Sequence, residues 1–177
     1  MPYDPGKDLV LVALVCNVPF VLVVNPALPV NSVADLVKLA KEQPLSYGSG
    51  GAGAFHHLMG ELPLIQAGKL RALGVTTAQR AAAAPDIPPL ADVGVPGFDW
   101  AAWQSVAAPG GTPTEIIVKL NDAVNAAIAE PEVEKQLVGL QFIPVGKGSP
   151  EALDRFVKSE TVRWAKVLQQ AGVAGSE

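Results

Sequence analysis

Leu45-Ser46-Tyr47-Gly48-Ser49-Gly50-Gly51-Ala52-Gly53-Ala54-Phe55-His56-His57-Leu58-Met59-Gly60-Glu61-Leu62 reads as a short strand, a glycine-rich turn and a helix. That order aims backbone N–H groups and the positive end of a helix dipole at one point, and such a point binds phosphate or carboxylate. Gly48-x-Gly50-x-x-Gly53 matches the dinucleotide fingerprint letter for letter. The fingerprint also needs a full preceding strand and an acid about 20 positions on for the ribose. Lys41-Glu42-Gln43-Pro44 leaves few residues for that strand. The downstream window holds Lys69, Arg71, Thr76 and Thr77, with the next acid at Asp86. A tight turn with no ligand is the other reading of the same glycines.

The chain has 177 residues, enough for one domain or two small lobes. Apolar residues make up 49% of it, so a sizeable core can form, and only 17% are charged. With a net charge of -4 and no basic patch, nucleic acid is not an expected partner. Cys16 is the sole cysteine, which excludes an internal disulfide and a cysteine-built metal site. Met1 to Asp8 is polar and turn-forming, so no signal peptide is read there. The apolar run Leu9–Val24 is broken by Asn17 and Pro19 and is too short and valine-rich for a membrane helix.

Leu9–Val15 and Phe20–Val24 read as strands meeting near Asn17-Val18-Pro19. Ser32 caps a helix that Pro44 stops, with Asp35 favouring its dipole. Leu70–Thr76 is a further strand, and Trp100–Ala108 an extended segment. Thr112-Pro113-Thr114-Glu115 starts a helix with Thr112 as cap and Ile116, Ile117, Leu120, Val124 and Ile128 on one face. Glu132–Val138 is a short helix and Gln141–Val145 a short strand. Ser149-Pro150-Glu151 starts the last helix, whose apolar stripe runs from Leu153 to Leu168 and which Gly172 can end. Strands and helices alternate, so the class is α/β.

His56 and His57 are neighbours, about 100° apart on a helix, a spacing unsuited to sharing one metal. No Gly-x-Ser-x-Gly nucleophile elbow occurs, because Ser49 has Tyr47 where the first glycine belongs. No catalytic residue, metal site or cofactor is therefore expected.

Several anchors in a fixed order resemble the tripartite tricarboxylate transporter substrate-binding proteins, the Bug or TctC family. They include Pro2-Tyr3-Asp4-Pro5-x-Lys7-Asp8, Val23-Val24-Asn25-Pro26-x-Leu28-Pro29 and Tyr47-Gly48-Ser49-x-Gly51-x-Gly53. Ala67-Gly68-Lys69-Leu70-Arg71-Ala72-Leu73, Pro85-Asp86-Ile87-Pro88, Gly94-x-Pro96-Gly97-Phe98 and Ala108-Pro109-x-Gly111-Thr112-Pro113 follow. The resemblance implies a two-lobed, Venus-flytrap (type II periplasmic-binding-protein-like) α/β receptor of the periplasm. Such a receptor binds a dicarboxylate, amino acid or aromatic acid between its lobes and hands it to membrane transporter subunits, with no catalysis.

The same resemblance marks departures. The chain starts inside a usual member, and at Leu62-Pro63 it skips much of lobe two. The fold is therefore expected to be incomplete, with residues 1–16 and 106–177 as the remnant of lobe one and 17–105 of lobe two. The resemblance implies ligand contacts from Ser49 and the amides of Gly51, Gly53 and Ala54, with Ala54 and Phe55 standing where Thr and Ser are usual. Trp103, near the return between lobes, is a stacking candidate, with hinge packing as the alternative. Two other readings stay open: a non-binding remnant that self-associates through the exposed stretch Leu9–Val24, and a nucleotide-binding or enzymatic protein built on the glycine loop.

Overall fold

The computed structural model describes residues 4, 6–46, 64–82 and 84–170. The strands are β1 Leu9–Val18, β2 Val21–Val24, β3 Arg71–Val75, β4 Ala102–Pro109 and β5 Ile143–Pro144. The helices are α1 Val33–Glu42, α2 Thr114–Ala129, α3 Pro131–Gly139 and α4 Pro150–Gln170, with a 3₁₀ turn at Leu90–Asp92. One sheet has the order β4-β1-β5 and the other pairs β2 with β3. The β1–β5 and β2–β3 pairs are antiparallel, in registers that include Cys16 opposite Pro144 and Val21 opposite Val75.

The chain forms two compact units. Unit 1 comprises Met1–Val15, Ser105–Glu130 and Val145–Glu177, and unit 2 comprises Cys16–Gln104 and Pro131–Pro144. The sequence reading placed residues 131–144 with the outer segments. They group with the middle one, because β5 at the end of that stretch pairs with Cys16 and Asn17. Such a pairing is non-local and leaves no trace in local periodicity.

The core of unit 1 is Val12, Ala13, Ala108 and Ile117, with Val10 and Val124 packed around it. Asn121 is buried among these residues. Its amide donates to the carbonyls of Val12 (2.8 Å) and Gly148 (2.9 Å), and its oxygen accepts from Asn125 Nδ2 at 3.0 Å. These bonds tie α2 to β1 and to the segment that leads into α4. Gly110 donates its N–H to the Asp8 carbonyl at 2.7 Å, and a Cβ there would lie 2.7 Å from the Lys7 carbonyl, so only glycine fits.

Unit 2 holds two apolar clusters. The first is Val24, Val30, Val33, Leu73 and Leu90; the second is Val75, Ala81, Ala84 and Ile87. At the start of α1, Ser32 Oγ accepts from the Asp35 N–H and the Asp35 carboxylate accepts from the Asn31 N–H, both at 3.1 Å. This is a cap with an acid in the first turn, as the sequence suggested.

Three expectations give way. The cap residue of α2 is Pro113, with no side-chain cap bond; the Thr112 hydroxyl donates instead to the Pro109 carbonyl at 2.7 Å. Ile116 and Leu120 are exposed, since the buried stripe of α2 runs through Ile117, Asn121 and Ile128. Nor is Leu9–Val24 an exposed apolar stretch: Val12, Ala13, Cys16 and Val18 are each at most 2% exposed, and within β1 only Leu9 is exposed. Within this stretch Val12, Ala13, Cys16, Val18, Pro19 and Val24 are buried, and the others, Leu9 apart, are half-buried.

Replacing Asn121 with Leu takes the amide donor from the buried Val12 carbonyl, while the Gly148 carbonyl keeps Asn125. The variant is expected to lose about 1–3 kcal/mol of stability, read by urea denaturation; an unchanged midpoint would show that the amide does not hold α2 to β1. The Asn31 N–H and then the Ser32 hydroxyl hold the Asp35 carboxyl below the usual carboxylate range. A lowered folded pKa adds stability above the unfolded value and loses it as pH falls through the folded one. The thermal-midpoint gap between wild type and Asp35→Asn is therefore expected to be full at about pH 6 and to close below about pH 4. A gap that does not change with pH would show that the carboxylate plays no part.

Candidate functional site

Ser49, Gly51, Gly53 and Ala54 lie outside the described residues, as do His56 and His57. The described residues show what holds the chain on either side of that loop. On the N-terminal side, α1 ends at Glu42, where the Gln43 N–H caps back onto the Leu39 carbonyl at 3.0 Å. On the C-terminal side, residues 64–66 form a helical turn. Gly68, at φ +70°, donates its N–H to Ile65, and Lys69 donates to Leu64, both at 2.9 Å. That pair of bonds is a Schellman end, with glycine at the left-handed position.

β3 follows directly. Arg71 sends Nη1 to the carbonyls of Val30 (2.7 Å) and Leu28 (3.2 Å) and Nη2 to that of Pro26 (3.2 Å). The proline-containing turn before α1 is thus pinned to β3, which sets the start of the helix that leads to the loop. The sequence carried a signal for this, since Asn25-Pro26-x-x-Pro29 is poor in N–H groups, but Arg71 itself gives no sign of its partner.

A second cluster lies in unit 2 beside the places where its middle segment begins and ends. The Phe20 and Trp100 rings stack with centroids 5.0 Å apart and planes at 24°. The Phe20 N–H donates to Thr76 Oγ1 (2.9 Å), the Thr76 N–H to the Phe20 carbonyl (3.0 Å) and the Trp100 N–H to the Thr76 carbonyl (2.8 Å). The Ala78 N–H donates to the Asp99 carboxylate at 2.9 Å. Trp100 is thereby a packing residue. Sequence reasoning did not single out Thr76 as its anchor. Trp103, on β4 next to buried Ala102, is half-buried and one residue short of the Gln104–Ser105 boundary between the units.

Titration chemistry is sparse. Burial raises the Cys16 thiol; Glu151 is lowered by the Ser149 hydroxyl at the start of α4, as Asp35 is at the start of α1. The three belong to different elements and do not form a constellation. Among the described residues no group of three or more His, Cys, Asp or Glu could hold a metal ion. An open depression on α1 is lined by Pro29, Asp35, Lys38, Leu39 and Glu42, all but Leu39 exposed, and is a solvated face of mixed charge.

Comparison with known proteins extends this picture. The tripartite tricarboxylate transporter family receptor profile matches residues 1–62 and 59–173. The chain belongs to the tripartite tricarboxylate transporter receptor (TctC) family. A Pseudomonas sp. protein encoded in the tcbD–tcbE intergenic region is 33% identical over 211 positions, covering 95% of this chain and 62% of its own length. BugT of Bordetella pertussis is 28% identical over 214 positions, covering 97% and 65%. An R. palustris protein solved with adipate superimposes with a TM-score of 0.82 at 33% identity, over 97% of this chain and 71% of that one. The chain thus spans less than two thirds of the length of these curated relatives. Its fold is that of the TctC periplasmic binding proteins, mixed α/β and partial relative to the full-length receptors.

Thr76→Val keeps the volume of the side chain and removes the acceptor of the Phe20 N–H. The variant is expected to lose about 1–3 kcal/mol in urea denaturation, and Thr76→Ser to restore most of it. Equal loss in both variants would point to packing and against the hydrogen bond.

Proposed function

We propose that the protein is the solute-binding component of a tripartite tricarboxylate-type transport system. In this reading it works in the periplasm, holds a small carboxylate between two lobes and passes it to membrane transporter subunits. Units 1 and 2 stand for the remainders of lobes one and two. The observation that carries the proposal is the likeness to the adipate-bound receptor, at 33% identity and a TM-score of 0.82. The carboxylate is received by the amides of Gly51, Gly53 and Ala54 and the Ser49 hydroxyl, at the N-terminal end of the helix read from Ala54 to Leu62. Trp103 supplies an apolar wall beside it. The ligand is bound and released unchanged, so no acid, base or nucleophile is required.

Calorimetry with adipate, malate, aspartate, ATP and NAD tests the reading. Wild type is expected to bind at least one carboxylate and neither nucleotide. Gly53→Val crowds the approach to the amides and is expected to weaken that binding about tenfold or more, a loss of roughly 1.4 kcal/mol, with an unchanged circular dichroism spectrum. Saturable nucleotide binding without carboxylate binding, or unaltered affinity in a folded Gly53→Val, overturns it.

A further inference from the structure

We infer that the outer edge of β5 is closed to strand addition, and that Pro144 is the residue that keeps a second copy of this chain from pairing there. Among the described residues β5 is the outer strand of the sheet β4-β1-β5. A strand in that place is a template for another chain when it carries a row of outward N–H and C=O groups. The surroundings are apolar enough to make such pairing a hazard: Val138, Leu140, Ile143 and Val145 are all between 37% and 45% exposed.

The backbone donors of this stretch are accounted for one by one. The Val145 N–H donates inward, to the Val15 carbonyl at 3.0 Å. The pairing with β1 is antiparallel, with Cys16 opposite Pro144 and Asn17 opposite Ile143. Orientation alternates along such a ladder, so the backbone groups of Ile143 and Val145 face β1, and the outward positions are those of Phe142 and Pro144. The Phe142 N–H is taken, since it donates back to the Leu137 carbonyl of α3 at 3.0 Å. Pro144 has no N–H at all. A strand arriving from outside therefore meets no backbone donor at either position.

Both ends of β5 are fixed as well. Gln141 closes α3 in the left-handed region, at φ +63°, and its N–H donates to the Val138 carbonyl at 2.9 Å. With the Phe142 bond this is a Schellman end, at a position where glycine is the usual residue. Gly146 and Lys147 follow Val145 at φ +57° and +60°, and extended pairing does not run through left-handed residues. The strand is thus held to two residues, one of them proline. The second sheet ends in a similar way. On the side of β3 away from β2, the Val75 N–H donates to the Pro88 carbonyl at 2.8 Å and the bridge is made with Pro89, so that segment also brings two residues without an N–H.

Pro144→Thr restores an outward N–H on a residue type suited to strands and tests the inference in the full chain. The variant is expected to associate. Light scattering at rising protein concentration is expected to show at least a doubling of the weight-average mass relative to wild type, with an unchanged circular dichroism spectrum. Adding Ile143→Lys to that variant places a charge on the edge and is expected to return the mass to the wild-type value. Lysine would not reverse association caused by unfolding, so the rescue separates edge pairing from loss of stability. Hydrogen exchange on the unaltered chain is the second measurement. The Phe142 amide is expected to exchange about tenfold or more slowly than in an unstructured peptide. Equal masses in wild type and a folded Pro144→Thr, association that Ile143→Lys leaves in place, or an unprotected Phe142 amide overturns the inference.

Discussion

The guanidinium of Arg71 reaches three carbonyl oxygens, those of Pro26, Leu28 and Val30, and on this one contact the order of unit 2 depends. The turn it holds contains two prolines, which have no N–H, so the turn cannot close itself by backbone bonds alone. Asn25 supplies part of the closure, its carbonyl accepting from Leu28 and its side chain from Ala27. The rest comes from β3. A planar fork with five donors can serve several carbonyls at once, whereas the point charge of a lysine cannot. With the turn fixed, Val30 and Val33 enter the cluster formed with Val24, Leu73 and Leu90, and the cap at Ser32 is set for α1. The chain that leads to the glycine loop thus starts from a helix whose position is fixed through β3.

Unit 1 solves the same problem with a neutral group. Asn121 donates to Val12 and to Gly148, and so holds a strand and an irregular glycine-containing segment to one helix. Asn125 adds a second bond to Gly148 at 3.1 Å. In both units one side chain on a regular element reaches carbonyls far along the chain. An unpaired buried carbonyl is costly, so these contacts constrain the backbone more tightly than the apolar packing around them, which tolerates exchange of one aliphatic residue for another.

What the sequence disclosed and what it hid divide along separation in the chain. The Ser32 and Ser149 caps are made within three residues, and both were legible. Thr112 had two local options and took the carbonyl of Pro109 in place of the helix N–H groups, a choice that residue types do not decide. Ile116 and Leu120 look like core by spacing, yet Asn121, a polar residue, takes the buried position, because its amide has partners 109 and 27 residues away. Arg71 and Thr76 reach 41 and 56 residues for theirs. The pairing of β5 with β1, which carries residues 131–144 into unit 2, is of the same kind. The candidate site was legible only as a glycine pattern and through the family resemblance, while the groups that brace its approaches were not, since their chemistry is carbonyl recognition at a distance.

A receptor must hold its ligand firmly enough to select it and loosely enough to give it up. A buried ion pair serves that need poorly: stripping water from both charges is expensive, and whatever is recovered depends on geometry that must be broken at each release. In the proposed site, loop amides and a hydroxyl offer dipoles without net charge, so a carboxylate would trade water for N–H donors of similar strength and the net gain per bond stays modest. The protein as a whole carries a charge of -4, which does not draw anions toward it. Under the reading proposed above, selection comes from where a few neutral donors point, and the described braces on either side of the loop are the turn before α1 and the turn at 64–68.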